Sequence, residues 1–267
     1  MTAFASQIAF PISRRTMLKG VGVGAVGFTV AQSAFLRSNA AQSDTVQDVL
    51  DITATTERFG VTFLGEGLRS NSEGNFDRVW PEPVIAIVEA ARAQEQFHLD
   101  AFEAAGGAPL VDTFTIPPEF LTSFDAFFGA VVEQEAAEIA AQIAAMAVFT
   151  EMMRPDLVKV SFQYAAEEAE HRVLANYTLG TRPPNDVAFA PALFDSVGAF
   201  LESLEQRGII GGTGMEIVYP GPGEIDPTNV TEQTPGGMVV DCVPGGTPVA
   251  DAATPVADGA TPVVGDD

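Results

Sequence analysis

Four long stretches of this chain carry apolar residues at helical spacing, and each is closed by residues that stop a helix, so the chain is constrained to fold as packed helices. The first runs from about 44 to 69, opening at Ser43-Asp44 and ending in the polar Ser70-Asn-Ser-Glu-Gly74. The second spans about 81 to 105 and stops at Gly106-Gly107. The third begins near Pro117-Pro118 and ends at Arg154, because Pro155 disfavours helix in the residue before it. Pro155 in turn suits the first turn of the fourth, which reaches about Leu179 and is closed by Gly180 and Pro183-Pro184. The link from Gly106 to Pro117 is longer than a short reversal needs. At about 3.3 Å per residue its twelve residues reach nearly 40 Å, and a helix of 24 residues is about 36 Å long. The link can therefore traverse the whole length of its neighbours, which implies one long crossover between two antiparallel helix pairs.

The expected class is all-α: a four-helix bundle over 41–183, an accessory helical segment within 184–210 (a short fifth helix at about 191–207) and a tail over 211–267. Gly and Pro accumulate in that tail, as in Pro220-Gly-Pro-Gly223, and near-repeats begin at Thr247, Thr254 and Thr261. Such a composition buries too little apolar surface to offset the entropy of ordering, and the tail is expected to be disordered.

Charge narrows the partners. Of 13 basic residues, Arg14, Arg15, Lys19 and Arg37 fall in the first 40 positions, where no acid occurs; the rest of the chain sets nine basic groups against 36 acidic ones. Such a surface repels nucleic acid and anionic membrane, keeps the protein soluble and attracts cations. Cys242 is the only cysteine, which excludes a disulfide framework and a thiolate metal site.

The two histidines carry the chemistry. Each has a glutamate three residues upstream, in Glu95-Gln-Phe-His98 and Glu168-Ala-Glu-His171, and residues three apart on a helix share a face. Each motif can thus offer a carboxylate and an imidazole to one ion, a donor set that suits iron or manganese better than structural zinc. If both serve one dinuclear site, the other two helices should each carry a glutamate on the buried stripe. At 100° per residue, Val46, Leu50, Val61, Leu64 and Leu68 fall within about 40° of Glu57, while Glu66 falls opposite. On the third helix, Phe124, Phe128, Val131, Ile139, Met146 and Phe149 lie within about 40° of Glu135, whereas Glu133 is about 160° away and Glu138 about 60° to one side. The expected ligands are Glu57, Glu95, His98, Glu135, Glu168 and His171, with Glu138 as a flanking alternative. Four carboxylates and two neutral imidazoles balance two divalent ions, and without cations such a core would be costly. A metal-free core in which Arg92 and Arg172 pair with these glutamates is the competing arrangement. Tyr164, one turn before Glu168, can hydrogen-bond a ligand or simply fill the core.

At the start of the chain, Ser13-Arg-Arg-Thr-Met-Leu-Lys19 precedes an apolar, Gly-rich run from Gly20 to Phe35 and the small-x-small pattern Ser38-Asn-Ala40. This resembles a twin-arginine signal, whose usual form is Ser/Thr-Arg-Arg-x-Phe-Leu-Lys, with Met17 where Phe is commonest. The resemblance implies that residues 1–40 direct export of a folded protein to the periplasm, cell envelope or exterior, with no stable membrane span after cleavage. Residues 44 to 180 resemble the ferritin-like superfamily of di-iron and di-manganese carboxylate proteins, especially exported bacterial ferritin-like domain proteins. The resemblance implies two iron ions, or two manganese ions, held by the six residues named above, and reaction with O2 or H2O2 as a ferroxidase, peroxidase, oxygenase or catalase-like oxidoreductase. A non-catalytic envelope or stress module of the same fold is the other expectation, and either would be compatible with a homo-oligomer.

Overall fold

Thr45 starts the first helix. Its hydroxyl accepts from the Asp48 amide (3.1 Å) while the Asp48 carboxylate accepts from the Thr45 amide (3.0 Å), a reciprocal cap that launches α1, Val46–Ser72. The computed structural model describes residues 44–231 and 235–236; the twin-arginine segment and the near-repeats of the tail lie outside the described residues. Pro81 precedes α2, Glu82–Ala104; Ser123 caps α3, Phe124–Glu151; and Pro155 opens α4, Pro155–Thr178. Ser196 caps a short α5, Val197–Gln206, whose first two amides also donate to Asp44 (2.5 and 3.2 Å). The expected helix from Pro117 starts later, because Pro118–Leu121 close only a single 3-10 turn before Ser123 caps afresh. Among the described residues no helix is long and apolar enough to cross a membrane.

The molecule is mostly helical. α1 packs along α2 and α3 along α4, each pair joined by a short connection, while α2 and α4 touch only sparingly. The link between α2 and α3 climbs beside α1. Gln47 donates to the Gly106 carbonyl (2.9 Å), the Ala108 amide to Asp51 (2.7 Å) and the Leu110 amide to Thr55 (2.8 Å). Next Arg58 pairs with Asp112, the Phe59 and Phe114 rings meet at 5.5 Å, and Ser70 donates to the Leu121 carbonyl (2.5 Å). The link thus covers nearly the whole length of α1, as its reach allowed.

The architecture is consistent with the all-α expectation, to which it adds one small sheet, and it departs from a tail disordered from residue 211. The link contains a strand, β1 (Thr113–Ile116), and the nominal tail supplies its antiparallel partner, β2 (Met215–Val218), with Thr113 opposite Val218 and Ile116 opposite Met215. Beyond β2, Tyr219 and Pro220 dock on the helices. The Tyr219 hydroxyl donates to Gln96 (3.0 Å), and the buried Arg92 donates to the carbonyls of Pro220 (2.8 Å) and Val61 (3.1 Å). A segment rich in Gly is ordered here because pairing partners and a buried Ile217 supply what its own composition lacks.

The apolar core has an aromatic end where α1 turns into α2. Phe63, Phe76, Trp80, Phe127 and Phe128 pack with ring centroids 4.7–5.8 Å apart. Below this cluster the interior becomes polar.

Candidate metal centre

The polar layer begins one to two turns below the aromatic end. Glu57 from α1, Glu95 from α2, Glu135 from α3 and Glu168 from α4 are all at most 4 % exposed. Apolar residues of the same helices pack on either side, and the carboxylates are shut away from water. The Glu-x-x-His spacing then does what a helical turn requires, and His98 and His171 join the same layer from α2 and α4.

Two overlapping ligand groups result. Glu57, Glu95, His98 and Glu168 offer donor atoms within 4.8 Å of one another, and so do Glu95, Glu135, Glu168 and His171. Glu95 and Glu168 belong to both. All six residues anticipated from the helical faces are brought together, while Glu133 is exposed and the half-buried Glu66 pairs with Arg69 (2.8 Å). His98 Nδ1 lies 3.4 Å from Glu57 and 3.0 Å from Glu168; His171 Nδ1 lies 2.8 Å from Glu168, 3.3 Å from Glu95 and 3.8 Å from Glu135.

The outer nitrogen of His171 is also engaged. Nε2 lies 3.1 Å from the Gln94 side-chain oxygen, and the Gln94 amide donates to Glu167 (2.6 Å). Because a carboxylate takes a hydrogen bond only from the amide nitrogen, Glu167 turns the oxygen of Gln94 toward His171. That oxygen holds a proton on Nε2, so an ion on the inner side would meet the Nδ1 lone pair. Gln94 was not among the expected residues; its place beside Glu95 carried no periodic signal.

Gly60 on α1 is part of the site as well. A Cβ added there would lie 2.4 Å from a carboxylate oxygen of Glu95 and 2.7 Å from its carboxyl carbon. Only glycine leaves room for a carboxylate that both ligand groups share.

Electrostatics test whether these residues suit cations. Burial, then the neighbouring Glu95 and Glu168, push Glu57 well above the usual carboxylate range; Tyr164 tempers the rise. Burial, then Glu168 and Glu95, do the same to Glu135. Glu168 moves the other way: burial would raise it, but His171 and His98 outweigh burial and hold it well below the ordinary value. Burial would lower His171, yet Glu168 and Glu95 raise it to about 10, and His98 is raised in the same sense, chiefly by Glu168 against burial. These are the shifts of a core with too much negative charge for the cations its own side chains provide. Several donor atoms remain without hydrogen-bond partners although fully buried: both Glu57 oxygens and one oxygen each of Glu95 and Glu135. Convergent, desolvated lone pairs of this kind fit divalent cations. The arginines that might have neutralised the core are committed elsewhere, Arg92 to backbone carbonyls and Arg172 to Asp186 (2.9 Å). The buried Glu/His groups can therefore hold metal ions.

A fifth carboxylate is equally buried. Glu138, at 2 % exposure, accepts from Gln134 (2.9 Å), whose own oxygen accepts from Arg207 (2.8 Å). It belongs to neither ligand group, and burial, then Glu95 and Glu168, raise it well above the usual range. A proton retained by Glu138 leaves four carboxylates and two imidazoles to balance two divalent ions. Tyr164 stands against His98 edge-on, ring centroids 4.8 Å apart, with its hydroxyl fully buried.

No family model matches this chain, and neither a curated protein nor a solved structure matches it.

Proposed function

We propose that this chain is an exported ferritin-like protein whose α1–α4 form a four-helix bundle with one long crossover, and whose six-residue centre binds two iron ions for reaction with O2 or H2O2. The observation that carries this reading is the overlap of two buried ligand groups through Glu95 and Glu168, because sharing two carboxylates places two ions next to each other. Glu57 and His98 would complete one position, Glu135 and His171 the other. Iron held there would supply two electrons, one from each Fe(II), to O2 or H2O2.

The surrounding residues have distinct tasks. Gln94, oriented by Glu167, fixes the imidazole of His171; Gly60 leaves space for Glu95. Glu138 stands beside the layer, its pKa raised by burial and by Glu95 and Glu168, and the Tyr164 hydroxyl near Glu57 can donate a hydrogen bond to Glu57 as carboxylates change their partners. The aromatic end and the apolar lower core exclude bulk water from both sides. Residues 1–40 would export the protein through the twin-arginine route, which carries folded proteins and so permits loading before export.

Metal analysis of the purified exported protein, followed by anaerobic Fe(II) titration and exposure to O2 or H2O2, tests the proposal. Two Fe(II) per chain and their oxidation are expected. Glu135→Ala should lose one or both ions and Glu133→Ala neither; equal losses would refute the assignment. Manganese occupancy with rapid O2 release from peroxide would make the protein a di-manganese catalase-like enzyme, and refusal of both metals would leave a non-catalytic module.

A further inference from the structure

The seam between α2 and α4 is sparsely packed beside the close α1–α2 and α3–α4 pairs, and it is divided in two. The Gln94–Glu167 hydrogen bond crosses it at the level of His171. On one side of that bond lies His98, whose side chain is 15 % exposed, the most accessible of the six ligands. On the other side is a cavity of about 20 Å³ walled by Leu64, Val88, Ala91, Phe128, Val131 and Ala175, with Glu135 and His171 at its inner end. The half-buried Ile87 and Thr178 mark its outer end. Thr178 is seven residues beyond His171 on α4, so the lining residues span roughly 10 Å along that helix.

We propose that this apolar passage admits O2, and no larger or more polar oxidant, to the Glu135–His171 side of the centre. The inference rests on the dinuclear iron reading and adds the route and the choice of oxidant. Three properties point the same way. The size accommodates one diatomic molecule and excludes organic substrates, whose pockets measure about 300 Å³ or more. Its wall between Thr178 and the ligands offers no hydrogen-bond partner, so a peroxide molecule would have to surrender its hydration to pass, whereas O2 has no hydrogen bonds to lose. The passage ends at Glu135 and His171 and not at a packed core, so a molecule that enters meets that pair. Cations, which need polar escort, have a separate approach at His98.

The experiment uses the full chain, Ala175→Leu to fill the passage and Val131→Ala to widen it. In metal-free protein, xenon under pressure, read by crystallography or xenon NMR, should occupy the passage in the wild type, vanish from Ala175→Leu and gain occupancy in Val131→Ala. In protein loaded anaerobically, Fe(II) binding should be unchanged in both variants. Oxidation by O2 should slow roughly tenfold or more in Ala175→Leu, because a packed side chain must move aside, and should quicken in Val131→Ala. Oxidation by H2O2 should stay at the wild-type rate. Equal O2 rates in all three proteins, or equal slowing with O2 and H2O2, would overturn the passage. Should Ala175→Leu fail to fold, Val131→Ala decides alone. A wild type that binds xenon but no iron refutes the iron reading, a result distinct from failure of the passage.

Discussion

Ionisable side chains in the interior make this protein's stability unusually dependent on pH. Glu57, Glu135 and Glu138 are raised above an ordinary value of 4.5, and His171 is raised from 6.5 to about 10. Between about pH 4.5 and 10 the folded metal-free chain therefore holds more protons than the unfolded one, and stability must fall as pH rises through that window. The His171 contribution is fully present below 6.5 and is lost as pH climbs through 10. Glu168, depressed, acts in the opposite sense, but only below its unfolded value, where its contribution disappears as pH falls toward its folded one. Thermal melts of metal-free protein should show Tm falling from pH 5 to pH 9, with Mn(II) or Fe(II) restoring more at pH 8 than at pH 6; a flat profile would contradict the buried cluster. The residues of the buried cluster were legible from helical angle, because the large apolar side chains Leu50, Val61 and Leu64 flank Glu57 on α1, although that helix is buried on most of its sides. Glu138 was not resolved by angle, since α3 is buried on nearly every side and an offset of 60° does not reach solvent there.

At the level of the element, helix starts were legible where a side chain or proline fixes them, as at Pro155, and less so where two candidates compete. Asp44 was an expected start of α1, yet Thr45 caps it and Asp44 serves α5. The pairing of Thr113–Ile116 with Met215–Val218 was not legible: each strand is four residues long, and its partner stands about a hundred positions away. Gly60 also escaped notice, because a lone glycine in a helix reads only as a weak point. Its substitution separates two effects. Gly60→Ala should favour the isolated helix by up to ~1 kcal/mol. The added methyl would strike Glu95, however, so metal affinity should fall at both positions; calorimetric Fe(II) or Mn(II) titration would reveal it. A variant with undiminished affinity would show that Glu95 need not approach α1 so closely.

Across the whole molecule, the segment from 212 to 221 fastens elements that the helices alone leave separate. β2 holds the link, Ile217 is 2 % exposed, and Arg92 ties Pro220 to α1 and α2. Truncation after Gly212 should cost several kcal/mol in a denaturant titration, with full burial of Ile217 alone accounting for ~1.5–3 kcal/mol, whereas truncation after Gly223 should cost little. Equal stability of the two truncated chains would show that the segment is only draped on the surface. The sparse contact between α2 and α4 bears on motion. Glu95 stands on one of these helices and Glu168 on the other, and both belong to each ligand group. An ion shared between them would thus clasp α2 to α4 across their sparse contact, and its binding free energy would be added to the cost of every excursion in which that wall opens. Occupancy would then govern how often the interior breathes, turning the metal content of the protein into a record of how long its backbone amides stay hidden from water.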